Sequence, residues 1–207
     1  MSKIVDLTHT FKENMPVYPG DTPPELYQTR DLAKNGYTYF QLNSGMHVGT
    51  HIDAPLHMIA DGQRIDSVSP EKFIGRGVIV DARGVKIITA DLFKEKIIKA
   101  GDIVLVFTGF SDKYDDPHYF TDFPVIDENF AKKMVELGIK MLGTDTPSPD
   151  KEPYNVHKIL LGHNVLIIEN LTNLGELLEI NDFEVIALPV KIDAEAALAR
   201  VIARYEN

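Results

Sequence analysis

The 207-residue chain has no cysteine and no tryptophan. Without cysteine there can be no disulfide, no thiolate nucleophile and no cysteine-ligated metal. No uninterrupted apolar run approaches the length of a membrane helix, so a membrane span is not expected. Basic residues are the minority: 21 Lys and Arg stand against 31 Asp and Glu, a formal net charge of −10. That balance disfavours nucleic acid and anionic membrane surfaces as partners. Met1-Ser2-Lys3-Ile4-Val5-Asp6 lacks the apolar core of a secretory signal, which makes a cytoplasmic location the expectation. No internal repeat or low-complexity tract is visible. The chain is 44% hydrophobic, enough for a proper core, and its length suits one domain spanning residues 1–207.

Seven histidines are present, and three of them fall in the eleven-residue run His47-Val48-Gly49-Thr50-His51-Ile52-Asp53-Ala54-Pro55-Leu56-His57. Imidazole nitrogen and carboxylate oxygen are ligands for zinc and other borderline divalent ions. On a helix His47 and His51 would share a face, but Gly49, β-branched Thr50 and Pro55 argue against a helix. In extended chain His47, Gly49, His51, Asp53 and His57 share parity and face one side. Gly49 would then leave room between two imidazoles. The run is expected to be a strand end entering a turn, with ligands on one wall of a cleft.

Elsewhere, Ile4–Thr8 reads as a first strand. Glu13–Pro24 reads as a proline-stiffened loop whose Met15, Val17 and Tyr18 could wall a pocket. Tyr37–Asn43 alternates and should be a strand leading into the histidine run. Continuous apolar runs at 78–80, 103–107 and 165–168 read as strands, buried where the run is longest, and 139–142 and 183–190 read as further strands. Short helices are expected at Ser69–Phe73, from Thr89 or Asp91 to about Ile98, at Glu128–Leu137 behind an Asp127 cap, around Tyr154–Leu161, and from Ala194 to about Ala203 behind Asp193. Thr108–Pro124 is a long aromatic-rich loop, a candidate for function or a subunit contact. Glu169, directly after four apolar residues, is either a costly buried charge or a ligand. Strand-helix-strand alternation in the middle suggests parallel pairing in an α/β or α+β fold.

The His47–His57 run closely resembles the signature H-x-G-T-H-x-D-x-P-x-H of the cyclase-like metal-dependent hydrolases, a family that includes bacterial kynurenine formamidases, with isatin hydrolases as relatives. Asp6-Leu7-Thr8, Pro16-Val17-Tyr18-Pro19-Gly20-Asp21, Gly143-Thr144-Asp145-Thr146-Pro147-Ser148, His157-Lys158-Ile159-Leu160-Leu161, Ile168-Glu169-Asn170-Leu171 and Pro189-Val190-Lys191-Ile192 resemble the family's other segments. The resemblance implies an α/β fold: a compact swivelling single domain with a curved mixed sheet and outer helices. It also implies two divalent metal ions. His47, His51 and Asp53 would hold the first, and Asp53 would bridge to a second held by His157 and Glu169. Nitrogen and oxygen ligands make zinc the first candidate and manganese the alternative.

The chemistry this implies is attack of metal-activated water on an amide carbonyl, with His57 moving the proton. An extra-ligand role for His57 is the competing reading. An aryl formamide such as N-formyl-kynurenine is the expected substrate, giving kynurenine and formate. Family kynurenine formamidases usually carry Trp where this chain has Tyr18, and the closing segment runs from Ile192 into Asp193-Ala194-Glu195-Ala196 without the usual glycine-rich turn. These departures favour, as the alternative, a cyclic amide, imide or lactone. A third reading is a non-catalytic metal-binding protein. Tyr18, Phe40 and Phe110 are candidate substrate contacts. The family implies a homodimer or homotetramer, with the N-terminal segment and Thr108–Pro124 as candidate contacts.

Overall fold

The apolar runs at 78–80, 103–106 and 166–168 are buried on both faces and form the middle of the main sheet. A computed structural model describes residues 1–206. Its strands and helices, in chain order, are β1 (Ser2–Asp6), β2 (Glu25–Arg30), α1 (Leu32–Asn35), β3 (Tyr39–Asn43), β4 (His51–Asp53), β5 (Ile74–Asp81), β6 (Ile87–Ile88), β7 (Ile103–Phe107), β8 (Val125–Ile126), α2 (Glu128–Leu137), β9 (Met141–Thr144), α3 (Asn155–Gly162), β10 (Leu166–Glu169), β11 (Glu184–Pro189) and β12 (Ala196–Glu206). The main sheet runs β1-β12-β11-β5-β7-β9-β10-β4, and β4 pairs with β12 as well, which closes it into a barrel. Pairings β5–β7, β7–β9 and β9–β10 are parallel, as the alternation of elements suggested. The pairings that complete the barrel through β4, β12 and β11 are antiparallel.

Alternate residues of these strands face two cores. Leu105, Met141, Ile168, Val185 and Val201 point into one apolar cluster. Val104, Leu142 and Ile167 point to the other, where Phe130 and Met134 of α2 and Leu160 of α3 cover them. The helices therefore lie outside a mixed, curved sheet, as expected. Asp127 caps α2 by accepting from Phe130 N, and Gly138 ends it at φ 70°.

Three local expectations are corrected, and one strand was not expected. The segment expected to form a closing helix is β12. Ala197, Ala199, Val201 and Ala203 are buried while Arg200 and Arg204 are exposed, a period of two, and pairing with β11 on one side and with β4 and then β1 on the other outweighs alanine's helix propensity. The helix expected after Thr89 is a single 3-10 turn, Ala90–Phe93. The short helix expected at Ser69–Phe73 is a 3-10 turn, Pro70–Phe73, which Ser69 does not cap; its hydroxyl goes to Glu71 instead. Glu25–Arg30, unassigned from sequence, is a strand that pairs with β3.

Candidate metal centre

Strand register makes the centre. In the antiparallel β4–β10 pair, Glu169 lies opposite His51 and Ile167 opposite Asp53. His51, Asp53 and Glu169 thus share one face of adjacent strands. His47 comes from the loop before β4 and His157 from α3. His51, Asp53, His157 and Glu169 are buried.

Asp53 stands at the middle. Its Oδ1 lies 3.1 Å from His47 Nδ1 and 3.4 Å from His51 Nε2, and its Oδ2 lies 3.8 Å from His157 Nε2. Glu169 spans the same two halves, with Oε2 3.3 Å from His51 Nε2 and Oε1 3.2 Å from His157 Nε2. Neither Asp53 oxygen has a hydrogen-bond partner, although both are buried. Close approach without hydrogen-bond alignment is the arrangement of donors converging on a shared centre. A buried carboxylate left so is costly unless positive charge compensates it.

The outward nitrogens are held. His51 Nδ1 donates to Gly49 O at 2.8 Å. His157 Nδ1 donates to Asp150 Oδ1 at 2.5 Å. His47 Nε2 faces Glu195 Oε1 at 3.3 Å. Anchoring one ring nitrogen leaves the other lone pair directed inward, as metal-ligating histidines require. His47 Nδ1 and His51 Nε2 are 3.2 Å apart, nitrogens brought together by their backbone. Two clusters sharing Asp53 could each hold a divalent ion: His47, Asp53 and His57, and His51, Asp53 and Glu169. The donor set of imidazole and carboxylate fits such ions.

Charge shifts describe the same demand. Burial opposes a proton on His47, but Asp53, helped by Glu169 and Glu195, outweighs it and lifts His47 to about 9. Burial likewise opposes a proton on His157, which hydrogen bonds to Asp150 and Glu169 lift to about 10. Burial pushes Asp53 up, yet the surrounding imidazoles hold it far below the carboxylate range. Glu169 is raised by burial and by Asp53, and its bonds to His157 and His51 bring it below the usual value. The centre rewards positive charge among its carboxylates.

His57 differs from His47, His51 and His157. Its ring stands 4.2 Å from that of His47 and 5.8 Å from that of His157. Burial lowers its affinity for a proton below the ordinary imidazole value, with Asp53 opposing, which favours its neutral form. Among the described residues no hydrogen bond fixes either of its nitrogens.

Three of the expected features lie differently. The histidine run is not extended throughout: only His51–Asp53 is strand, and Pro55–His57 is a 3-10 turn. Gly49 does not make room between imidazoles. It adopts φ 65°, and a Cβ there would come within 2.8 Å of Met15 Cε. Phe110 is buried in a cluster with Tyr114, Tyr119 and Met15, and Phe40 lies exposed on β3. Tyr18 does reach the site's edge: its hydroxyl is 3.3 Å from that of Tyr154, and Tyr154 packs edge-on to His157 at 5.8 Å. Phe120 completes this aromatic rim, edge-on to Tyr18 at 5.8 Å.

Sequence reading missed Asp150, Glu195, Tyr154 and Thr50. Thr50 donates to Asn170 O at 2.6 Å and accepts from His9 N at 3.0 Å, so it ties the chain beside His51 to the chain beside Glu169. Asp150 also accepts from Val156 N at 2.6 Å. Its place just before the helix that carries a ligand was the available signal.

Residues 5–151 match the family model described as putative cyclase. Kynurenine formamidase from Erythrobacter litoralis is 34% identical over 209 aligned positions, which cover 98% of this chain and 94% of that protein. A predicted metal-dependent hydrolase from Bacillus stearothermophilus superposes with a TM-score of 0.81 at 28% identity, covering 99% of this chain and 98% of that one. Isatin hydrolase A from Ralstonia solanacearum superposes with a TM-score of 0.89 at 24% identity, covering 99% of this chain and 92% of that one, a likeness of fold.

Proposed function

This chain belongs to the cyclase family, and from that premise we propose that it is a metal-dependent hydrolase cleaving the amide of an aryl formamide such as N-formyl-kynurenine to kynurenine and formate. The observation that carries the reading is Asp53, a fully buried carboxylate with both oxygens unpartnered and imidazoles on either side.

In this reading His47, His51 and Asp53 hold one divalent ion, and Asp53, His157 and Glu169 hold a second. Zinc is the first candidate and manganese the alternative. Such ions, when bound, activate water at neutral pH and stabilise negative charge developing on a carbonyl oxygen.

The chain's own groups do the rest. His57, neutral and unanchored beside the cluster, takes the proton from the attacking water at a ring nitrogen and delivers it to the departing amine nitrogen. No hydrogen bond among the described residues occupies its ring nitrogens, whereas His51 and His157 are locked by Gly49 O and Asp150. The Tyr18–Phe120–Tyr154 rim offers aromatic faces and two hydroxyls to an aryl substrate. His57 also argues against a purely structural metal site, which would close every position and need no base.

A second reading keeps the site and changes the substrate to a cyclic amide, imide or lactone. What favours it is Tyr18 at the rim, in a chain without tryptophan, since it gives a smaller stacking surface than the Trp usual in kynurenine formamidases. The family resemblance implies a homodimer or homotetramer, and self-association is proposed here on that ground. No helix among the described residues is long and apolar enough to cross a membrane.

The test is formate release from N-formyl-kynurenine, with bound metal counted in the same sample. Turnover that needs the bound ions supports the first reading. A metal-loaded protein inert on this substrate but active on cyclic amides, imides or lactones supports the second.

A further inference from the structure

The barrel closes beside the centre. Ala196 lies opposite Asp53 in the β4–β12 pair, and Ala54 N donates to Glu195 O at 2.9 Å. This register sets Glu195 against the strand that carries two of the ligands. It belongs to the segment Asp193-Ala194-Glu195-Ala196, whose two acids the proposed ligand set does not use.

Glu195 meets the centre on one side and solvent on the other. Its Oε1 lies 3.3 Å from His47 Nε2, yet its side chain is still 38% exposed. That contact uses one carboxylate oxygen, and no ion pair among the described residues uses the other. A cleft of about 360 Å³ opens on this pair, lined also by Asp21, Thr22, Asn43 and Ser44. Among the described residues it is lined by two carboxylates, Asp21 and Glu195, and by no lysine or arginine. The cleft shares His47 with the centre in which both buried oxygens of Asp53 lack a partner. It is therefore the mouth of that centre and not a patch of surface acids.

One turn joins this mouth to the aromatic rim. Asp21 N donates to Tyr18 O at 3.0 Å, so Tyr18-Pro19-Gly20-Asp21 carries an aromatic ring and a carboxylate on the same short loop. Tyr18 reaches the His157 half of the centre through Tyr154, and Asp21 shares the cleft with His47. A substrate lying across the centre meets aromatic side chains towards one half and carboxylates towards the other.

Charge then selects the occupant. In a chain of net charge −10, such a cleft attracts cationic groups and repels anionic ones. An ammonium group has three donors and no acceptor, which suits a carboxylate oxygen without a partner. A neutral cyclic amide, imide or lactone brings nothing for Glu195 to hold. An aryl formamide whose side arm ends in an ammonium brings both parts, a ring for the rim and a cation for the cleft.

We infer that Glu195 is a specificity-determining residue that binds an ammonium group of the substrate on the His47 side of the centre. This rests on the hydrolase reading proposed above and narrows its substrate class to aryl amides that carry a protonated amine. Glu195 sets which amide is held; the proton transfer remains with His57.

The test is kcat/KM for N-formyl-kynurenine and for its desamino analogue, in which hydrogen replaces the ammonium, on wild type and Glu195→Gln. Metal per chain is measured in the same samples. Gln keeps an oxygen for His47 Nε2 to face and removes the charge. The wild type should prefer the ammonium substrate by about tenfold, and Glu195→Gln should bring the two substrates close to parity. Each ratio is taken on one protein, so a change in metal loading acts on both substrates alike and cancels. A merely structural role for Glu195 would lower both rates and leave the ratio intact. A wild type without the preference, or a preference that survives in Glu195→Gln, overturns the inference, while turnover of both substrates leaves the hydrolase reading standing. A metal-loaded wild type that hydrolyses neither overturns the aryl formamide reading and this inference with it.

Discussion

His157 Nδ1 donates to Asp150 Oδ1 at 2.5 Å, and the same carboxylate accepts from Val156 N through its other oxygen. One acidic side chain thus sets both the start of α3 and the orientation of the ring that α3 contributes to the centre. Asp150→Asn weakens this hold on the proton of Nδ1 and with it the basicity of Nε2. The expected outcome is a loss of about 10–100-fold in affinity for the ion on the His157 side, with the far-UV spectrum unchanged. Competition with a chromophoric chelator measures it.

His57→Ala should keep the bound ions and lose about 10²–10⁴-fold in turnover. No hydrogen bond among the described residues anchors its ring. Metal analysis beside the rate assay separates proton transfer from ligation. Loss of an ion on this substitution would make His57 a ligand, a role open to it because His57 groups with His47 and Asp53.

Glu169→Gln should selectively weaken the ion shared with His157. Glu169 Oε1 and Oε2 each face a different imidazole at 3.2 and 3.3 Å, and the amide can offer only one oxygen. Metal per chain, measured after dialysis, should fall from two towards one; an unchanged count would remove Glu169 from the ligand set.

Gly49→Ala should destabilise the fold by about 1–2 kcal/mol, the cost of placing a side chain in the left-handed region. Gly49 sits at φ 65° and its carbonyl anchors His51, so metal affinity should fall with stability. Thermal melting with and without added zinc reads both.

His9 gives stability a pH dependence away from the ligands. Its ring stacks on Tyr114 at 3.9 Å, and burial, with Lys12 adding to it and Asp115 opposing, lowers its pKa from 6.5 to about 4. Between those values the unfolded chain binds the proton and the folded chain does not. The contribution is therefore present above pH 6.5 and is lost as pH falls towards 4, with a slope of about one proton. Denaturant melts of the wild type and His9→Gln across this window should converge at low pH; parallel curves would show that His9 titrates normally.

The sequence made the centre legible because its ligands are chemically rare and tightly spaced. His47, His51 and Asp53 lie within seven residues, and Glu169 announced itself as a charge after an apolar run. Their convergence depends on the β4–β10 register, which pairs residues 118 apart and leaves no local trace. Parallel pairing was readable from the alternation of strands and helices in the middle of the chain. β12 was misread because its alanines favour a helix locally and only its neighbours impose a period of two. Asp150 and Thr50 escaped notice because one holds His157 and the other ties together the segments beside His51 and Glu169, in both cases through hydrogen bonds set by tertiary structure. Phe110 was placed at the pocket by chemistry alone, and the structure buries it behind Met15 and Tyr119.

Asp53 is the point on which the account turns, and its substitution tests it most directly. Wild type and Asp53→Asn would be stripped with chelator, reloaded with zinc, dialysed and analysed for metal per chain. The account predicts about two ions in the wild type and loss of both in Asp53→Asn, because the two halves share that carboxylate. An Asp53→Asn protein that retains two ions, or a wild type that never holds more than one, would contradict it.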